Sequence, residues 1–120
     1  MRHLTITLQP DWKKALRDAG RLAVGGVRDG AYCGEFLNFE SAGAFFGKLT
    51  ERRWAIVHTL QASGPISVRE LGRRVSRDVK RVHEDVQILR ELGLVEPAPD
   101  GGILCPFADI HVDMHLQAVA

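Results

Sequence analysis

Between Ile66 and Arg81 the chain places Arg69, Arg73, Arg74, Arg77, Lys80 and Arg81 against only Glu70 and Asp78, a local net charge of +4. Guanidinium and ammonium groups at this spacing suit repeated contacts with an anion. Arginine offers a planar fork that grips phosphate or a base edge through two donors, and lysine a compact point charge. The block stands out because the rest of the chain does not share it. Met1 to Pro65 carries net +3, Val82 to Ala120 net −6, and the whole protein only +1. A basic island in a near-neutral protein points to one anionic contact surface. An ordinary solvated helix face is the alternative reading of the same charges.

The elements around the block decide how those charges are presented. Ser67-Val68-Arg69-Glu70 is a capping box, in which Ser67 accepts from a backbone N–H and Glu70 reaches back to the N–H of Ser67. Ile66 and Leu71 occupy the two positions of a hydrophobic staple. The helix so begun runs to about Val75. Gly72 inside it costs about 1 kcal/mol relative to alanine, acceptable if the next helix approaches closely. That next helix starts near Ser76-Arg77-Asp78, and Val79, Val82, Val86 and Leu89 form its apolar stripe. Gly93 ends it at a left-handed cap. Upstream, Thr50-Glu51 opens a helix with Trp54, Ile56, Val57 and Leu60 on one face, closed by Ser63-Gly64-Pro65. Downstream, Leu94-Val95-Glu96 and Ile103-Leu104-Cys105 flank the turn Pro97 to Gly102 as a β-hairpin. Three helices, a short turn and a hairpin make a winged helix-turn-helix.

The flanks read as additions to that core. Leu4, Ile6 and Leu8 alternate with threonines as a strand, and Pro10-Asp11 opens a helix to about Leu22. The glycine cluster of Val24 to Gly30 is a loop rather than a phosphate cradle, because no Gly-Lys-Ser/Thr follows. Tyr32 to Phe39 reads as a strand. Ser41 caps a short helix whose Phe45 and Phe46 are expected in the core with Leu49. Ile110 to Leu116 alternates as an amphipathic C-terminal strand. The expected class is α+β, divided into residues 1–48, a strand and helix segment for dimerisation or partner contact, and residues 49–120, the winged helix-turn-helix with its last strand.

With the valine stripe buried, the opposite face of the third helix carries Arg77, Lys80, Arg81 and Glu84. The start of an α-helix in the DNA major groove reaches base edges, where arginine pairs with guanine and carboxylate accepts from cytosine. Arg69, Arg73 and Arg74 are expected on phosphates, with Ser76 donating to another at the turn. The wing from Glu96 to Gly102 carries two acids and no cation, so it is not expected to grip the duplex.

From about Gly34 to Leu116 the chain resembles the MarR-like winged-helix regulators of prokaryotes. The resemblance lies in Leu49 to Trp54, Gly64 to Leu71, Arg77 to Val86, Leu92 to Glu96 and Ile110 to Asp113. It implies a repressor of the kind that serves as the antitoxin of a toxin–antitoxin module and controls its own operon. The implied partners are an inverted-repeat DNA operator, a second copy of the chain and a cognate toxin. Unpaired edges on the first and last strands would serve the dimer contact, and the acidic C-terminal third a basic partner.

Other chemistries are less well supplied. His111, Asp113 and His115 lie on one strand face but about 7 Å apart, long for ligands of a single zinc. A metal-responsive regulator and a winged helix that binds only protein are the alternative functions. No nucleophile elbow, Walker loop or HExxH motif occurs, so no enzyme and no cofactor are expected. Glu84 and Asp85 are adjacent on a helix and diverge, and His83 is expected against backbone or core. Cys33 and Cys105 lack metal spacing and read as reduced thiols. With no membrane-length apolar run and no signal-peptide core, the expected compartment is the cytoplasm.

Overall fold

The computed structural model describes residues 2–10 and 34–115. The expected helix from Asp11, the glycine loop, Tyr32, Cys33 and Leu116 lie outside the described residues. The protein mixes helices and strands: β1 (Arg2–Leu8), β2 (Glu35–Phe39), α1 (Ala42–Lys48), α2 (Glu51–Ser63), α3 (Val68–Val75), α4 (Val79–Glu91), β3 (Glu96–Pro97), β4 (Ile103–Leu104) and β5 (Phe107–Asp113). Among the described residues no helix is long and apolar enough to cross a membrane.

The chain divides into two compact units, Met1–Gly47 with Asp109–Ala120, and Lys48–Ala108. The sequence reading instead kept the last strand with the helices that precede it. In the first unit the strand order is β2-β1-β5, with β1 and β2 parallel. The expectation of an unpaired edge on the first strand is therefore corrected, because β1 is central and the outer strands are β2 and β5. Leu4 and Ile6 are buried as the alternation requires. Arg2 pairs with Glu35 through Nε at 2.9 Å and Nη2 at 2.7 Å. Asn38 accepts from the Thr7 hydroxyl and exchanges two hydrogen bonds with the Gln9 backbone, which carries the pairing past the strand end. Ser41 caps α1 by accepting from the Ala44 N–H at 3.0 Å. Phe45 is buried, edge-on to Phe39. Phe46 is 59% exposed, contrary to expectation. Successive helical residues point about 100° apart, so one of the two phenylalanines had to leave the core.

In the second unit α2, α3 and α4 enclose one core: Ile56, Val57 and Leu60 from α2, Leu71 from α3, and Val82, Val86 and Leu89 from α4. Local chemistry marks the starts of α2 and α3 and the ends of α2 and α4. The Thr50 hydroxyl accepts from the Arg53 N–H and the Ser67 hydroxyl from the Glu70 N–H. Gly64 and Gly93 take positive φ after α2 and α4, which glycine alone does without strain. At Gly93 the N–H of Leu94 reaches back to the Leu89 carbonyl, satisfying an otherwise orphaned acceptor. The hairpin turns through Ala98-Pro99-Asp100-Gly101, where the Gly101 N–H donates to the Ala98 carbonyl. Proline second and glycine fourth suit such a turn. The residue before the α3 cap joins this hairpin: Ile66 and Ile103 exchange N–H to carbonyl bonds of 3.1 and 2.8 Å. A Cβ on Gly102 would stand 2.7 Å from the Ile66 carbonyl oxygen, so only glycine lets the two segments approach this closely.

Candidate functional site

The link between α3 and α4 is the centre of the basic block. Its backbone is a left-handed cap built on a non-glycine residue: Ser76 has φ 57° and ψ 47°. The Arg77 N–H donates to the Gly72 carbonyl and the Ser76 N–H to the Arg73 carbonyl, the double bond of a Schellman stop. Gly72 earns its place here. A Cβ at Gly72 would lie 3.2 Å from the Arg77 carbonyl oxygen and 3.4 Å from a Val79 methyl. The expected close approach is real, and it comes from the turn and the first residue of α4.

The cations separate into three groups. Arg69, Lys80 and Arg81 are exposed, and none forms an ion pair or side-chain hydrogen bond with another described residue. Arg73 and Arg74 are also exposed but engaged by Glu70. Arg73 donates to both carboxylate oxygens, one of them through Nε at 2.9 Å, and Arg74 donates through Nε at 3.0 Å. These bonds, Arg73's first, hold the Glu70 carboxyl down at about 2, and Glu70 in turn raises Arg73. The capping box is thus half made. Glu70 was expected on the Ser67 N–H, but two guanidiniums at i+3 and i+4 offer charge-assisted donors and take it.

Arg77 forms the third group and departs furthest from expectation. Its side chain is 18% exposed and lies against Asp85, Nη1 to Oδ2 at 2.8 Å. That distance makes an ion pair, yet the N–H directions leave Nη1 buried with no aligned hydrogen bond. Asp85, 15% exposed, also accepts from Arg53 Nε at 3.1 Å through its other oxygen. Arg53 itself donates to the Lys48 carbonyl at 2.8 Å. Arg77 is therefore turned inward and absent from the outer face of α4. Arg53 and Asp85 are the members that sequence reasoning missed. Adjacent on one helix, Glu84 and Asp85 diverge, which separates their directions without naming a partner for either.

The outer face of α4 keeps Lys80, Arg81 and Glu84, all exposed, with Ser76 exposed at the turn. His83 is exposed too, rather than set against backbone or core. Val79, expected in the buried stripe, is 41% exposed. In the hairpin, Glu96 and Asp100 are the charged residues between Glu96 and Gly102, and no cation accompanies them. Elsewhere His3 lies 3.8 Å from Asp109, and His115 pairs with Asp113 at 3.0 Å. Among the described residues no three His, Cys, Asp or Glu side chains gather as a metal site.

The molecule is thus a mixed α/β protein whose second unit presents six exposed cations, Arg69, Arg73, Arg74, Lys80, Arg81 and Arg90, on two consecutive helices. It belongs to the HVO_A0114 family, whose model matches residues 48–112, more than half of the chain. No curated protein and no solved structure matches it.

Proposed function

We propose that the protein is a sequence-specific DNA-binding regulator that uses its second unit, Lys48–Ala108, as a winged helix-turn-helix and acts as a repressor. One observation carries the reading. Burial of Val82, Val86 and Leu89 turns the opposite face of α4 outward, with Lys80, Arg81 and Glu84 exposed on it and Arg69, Arg73 and Arg74 exposed on α3. In this reading α4 enters the major groove. Lys80 and Arg81 address guanine edges, Glu84 a cytosine amine, and Val79 a thymine methyl. Arg69 and Ser76 hold phosphates on either side, with Arg73 and Arg74 beside them in reserve on Glu70.

A monomer with so short a reading face recognises few base pairs, so the proposed assembly is a dimer on an inverted repeat with half-sites about 10 bp apart. An antitoxin role follows the resemblance to MarR-like regulators, with the acidic stretch after Val82 offered to a basic toxin. The test is selection from random duplexes followed by binding measured against salt. An enriched inverted repeat and an affinity that falls steeply with salt support the reading. No binding at low salt refutes it. The protein-only alternative draws on the acidic wing, and it is favoured if duplex binding is absent while a protein partner is retained.

A further inference from the structure

We infer that Arg53, Asp85 and Arg77 form a positioning clamp that sets the angle of α4 for base reading, with Arg77 itself touching no DNA. The inference rests on the nucleic-acid reading above. Asp85 lies near the middle of α4, Arg53 in the first turn of α2 and Arg77 in the link before α4. One carboxylate therefore ties α2, the link after α3 and α4 to one another, through contacts of 3.1 and 2.8 Å. All three side chains are less than a fifth exposed, whereas Arg73 is 73% exposed.

Stability alone is a poor account of this arrangement. Burying ion pairs sacrifices hydration that the attraction often only repays, and well-packed apolar groups can serve as well or better. Here the fold also tolerates two cations on one anion and a buried Nη1 without an aligned hydrogen bond. What an apolar replacement would lack is direction. Two guanidiniums on separate oxygens of one carboxylate restrict rotation of α4 about its axis. The same rotation decides which bases Lys80 and Arg81 meet.

The test compares full-length wild type with Arg77→Met, Asp85→Asn, their double variant and Arg77→Lys. Specific and random duplexes are titrated over a range of salt, and unfolding is followed in denaturant. Arg77→Met should lower the ratio of specific to random affinity about tenfold or more, comparable with losing one base-pair contact. Its salt slope should match that of wild type, because no phosphate contact is lost. Arg77→Lys, which keeps the charge, should recover part of the ratio. The unfolding equilibria should show coupling between Arg77 and Asp85 of about threefold or more. A slope shallower by about one would make Arg77 a phosphate contact and overturn the clamp. So would an unchanged specificity ratio, or absent coupling. If Asp85→Asn fails to fold, Asp85→Glu with Arg77→Lys carries the same cycle with both charges kept. If wild type binds no duplex at all, the DNA reading falls, and coupling in the unfolding cycle alone decides whether the clamp stands.

Discussion

Glu70→Gln separates the charges the protein owns from those it can use. In the folded chain Glu70 occupies Arg73 and Arg74, leaving Arg69, Lys80 and Arg81 as the cations of the block outside ion pairs among the described residues. Each neutralised phosphate contributes about −0.9 to the slope of log affinity against log salt. On a random duplex, where Lys80 and Arg81 lack cognate guanines and rest on phosphates, the three give a slope of about −2.7 per chain, and release of Arg73 and Arg74 takes it to about −4.5. Raising salt from about 50 to 200 mM then weakens wild type about 40-fold and the variant about 500-fold. Fluorescence anisotropy on a random duplex reads both slopes directly. The substitution leaves the Ser67 cap in place, because that cap uses the backbone N–H of residue 70. An unchanged slope would refute the idea that Glu70 withholds these arginines. The same pairing sets a pH dependence. The Glu70 carboxyl is lowered from 4.5 to about 2. Its contribution to stability is therefore full above about 4.5 and lost as pH falls through about 2. Across neutral pH the carboxylate stays ionised and the two arginines stay engaged.

Three further outcomes are expected. Gly72→Ala gains about 1 kcal/mol of helix propensity but forces a Cβ to 3.2 Å from the Arg77 carbonyl oxygen in a pinned turn; net destabilisation of about 1–2 kcal/mol in denaturant titration is expected, and net stabilisation would show that the turn yields. Ser76→Gly relieves a left-handed non-glycine residue and should stabilise by about 1 kcal/mol while weakening duplex binding, so a tighter complex would remove the hydroxyl from the phosphate contacts. Gly102→Ala meets the Ile66 carbonyl at 2.7 Å and should lower the unfolding free energy by about 2–3 kcal/mol, readable as a loss of thermal stability; an unaffected melting temperature would show that the hairpin is loosely held.

Signals confined to a few residues were legible in the sequence. Thr50, Ser67 and Gly93 mark helix ends through bonds to backbone at most five residues away, and each lies where its type requires. Competition and distance were not legible. Glu70 had two attractive partners, the Ser67 N–H and the arginines, and relative strength rather than pattern chose between them. Asp85 meets Arg53 across 32 residues, a pairing that no periodicity encodes. Val79 fits the spacing of the buried stripe, yet as the first residue of α4 it has no preceding helical turn to cover it. The strand β1 was readable as a strand, but its central place between β2 and β5 depends on neighbours remote in sequence.

The Ile66–Ile103 exchange of hydrogen bonds has a kinetic consequence. Each residue is both donor and acceptor to the other, so separating the two segments breaks both bonds together. Their isotope exchange should then share one opening event. Ser67, whose hydroxyl starts α3, is the next residue along. The hairpin and the first of the two basic helices therefore sit on a common hinge pin, and motion of Ile103 reaches the root of α3 within a single peptide unit of Ile66.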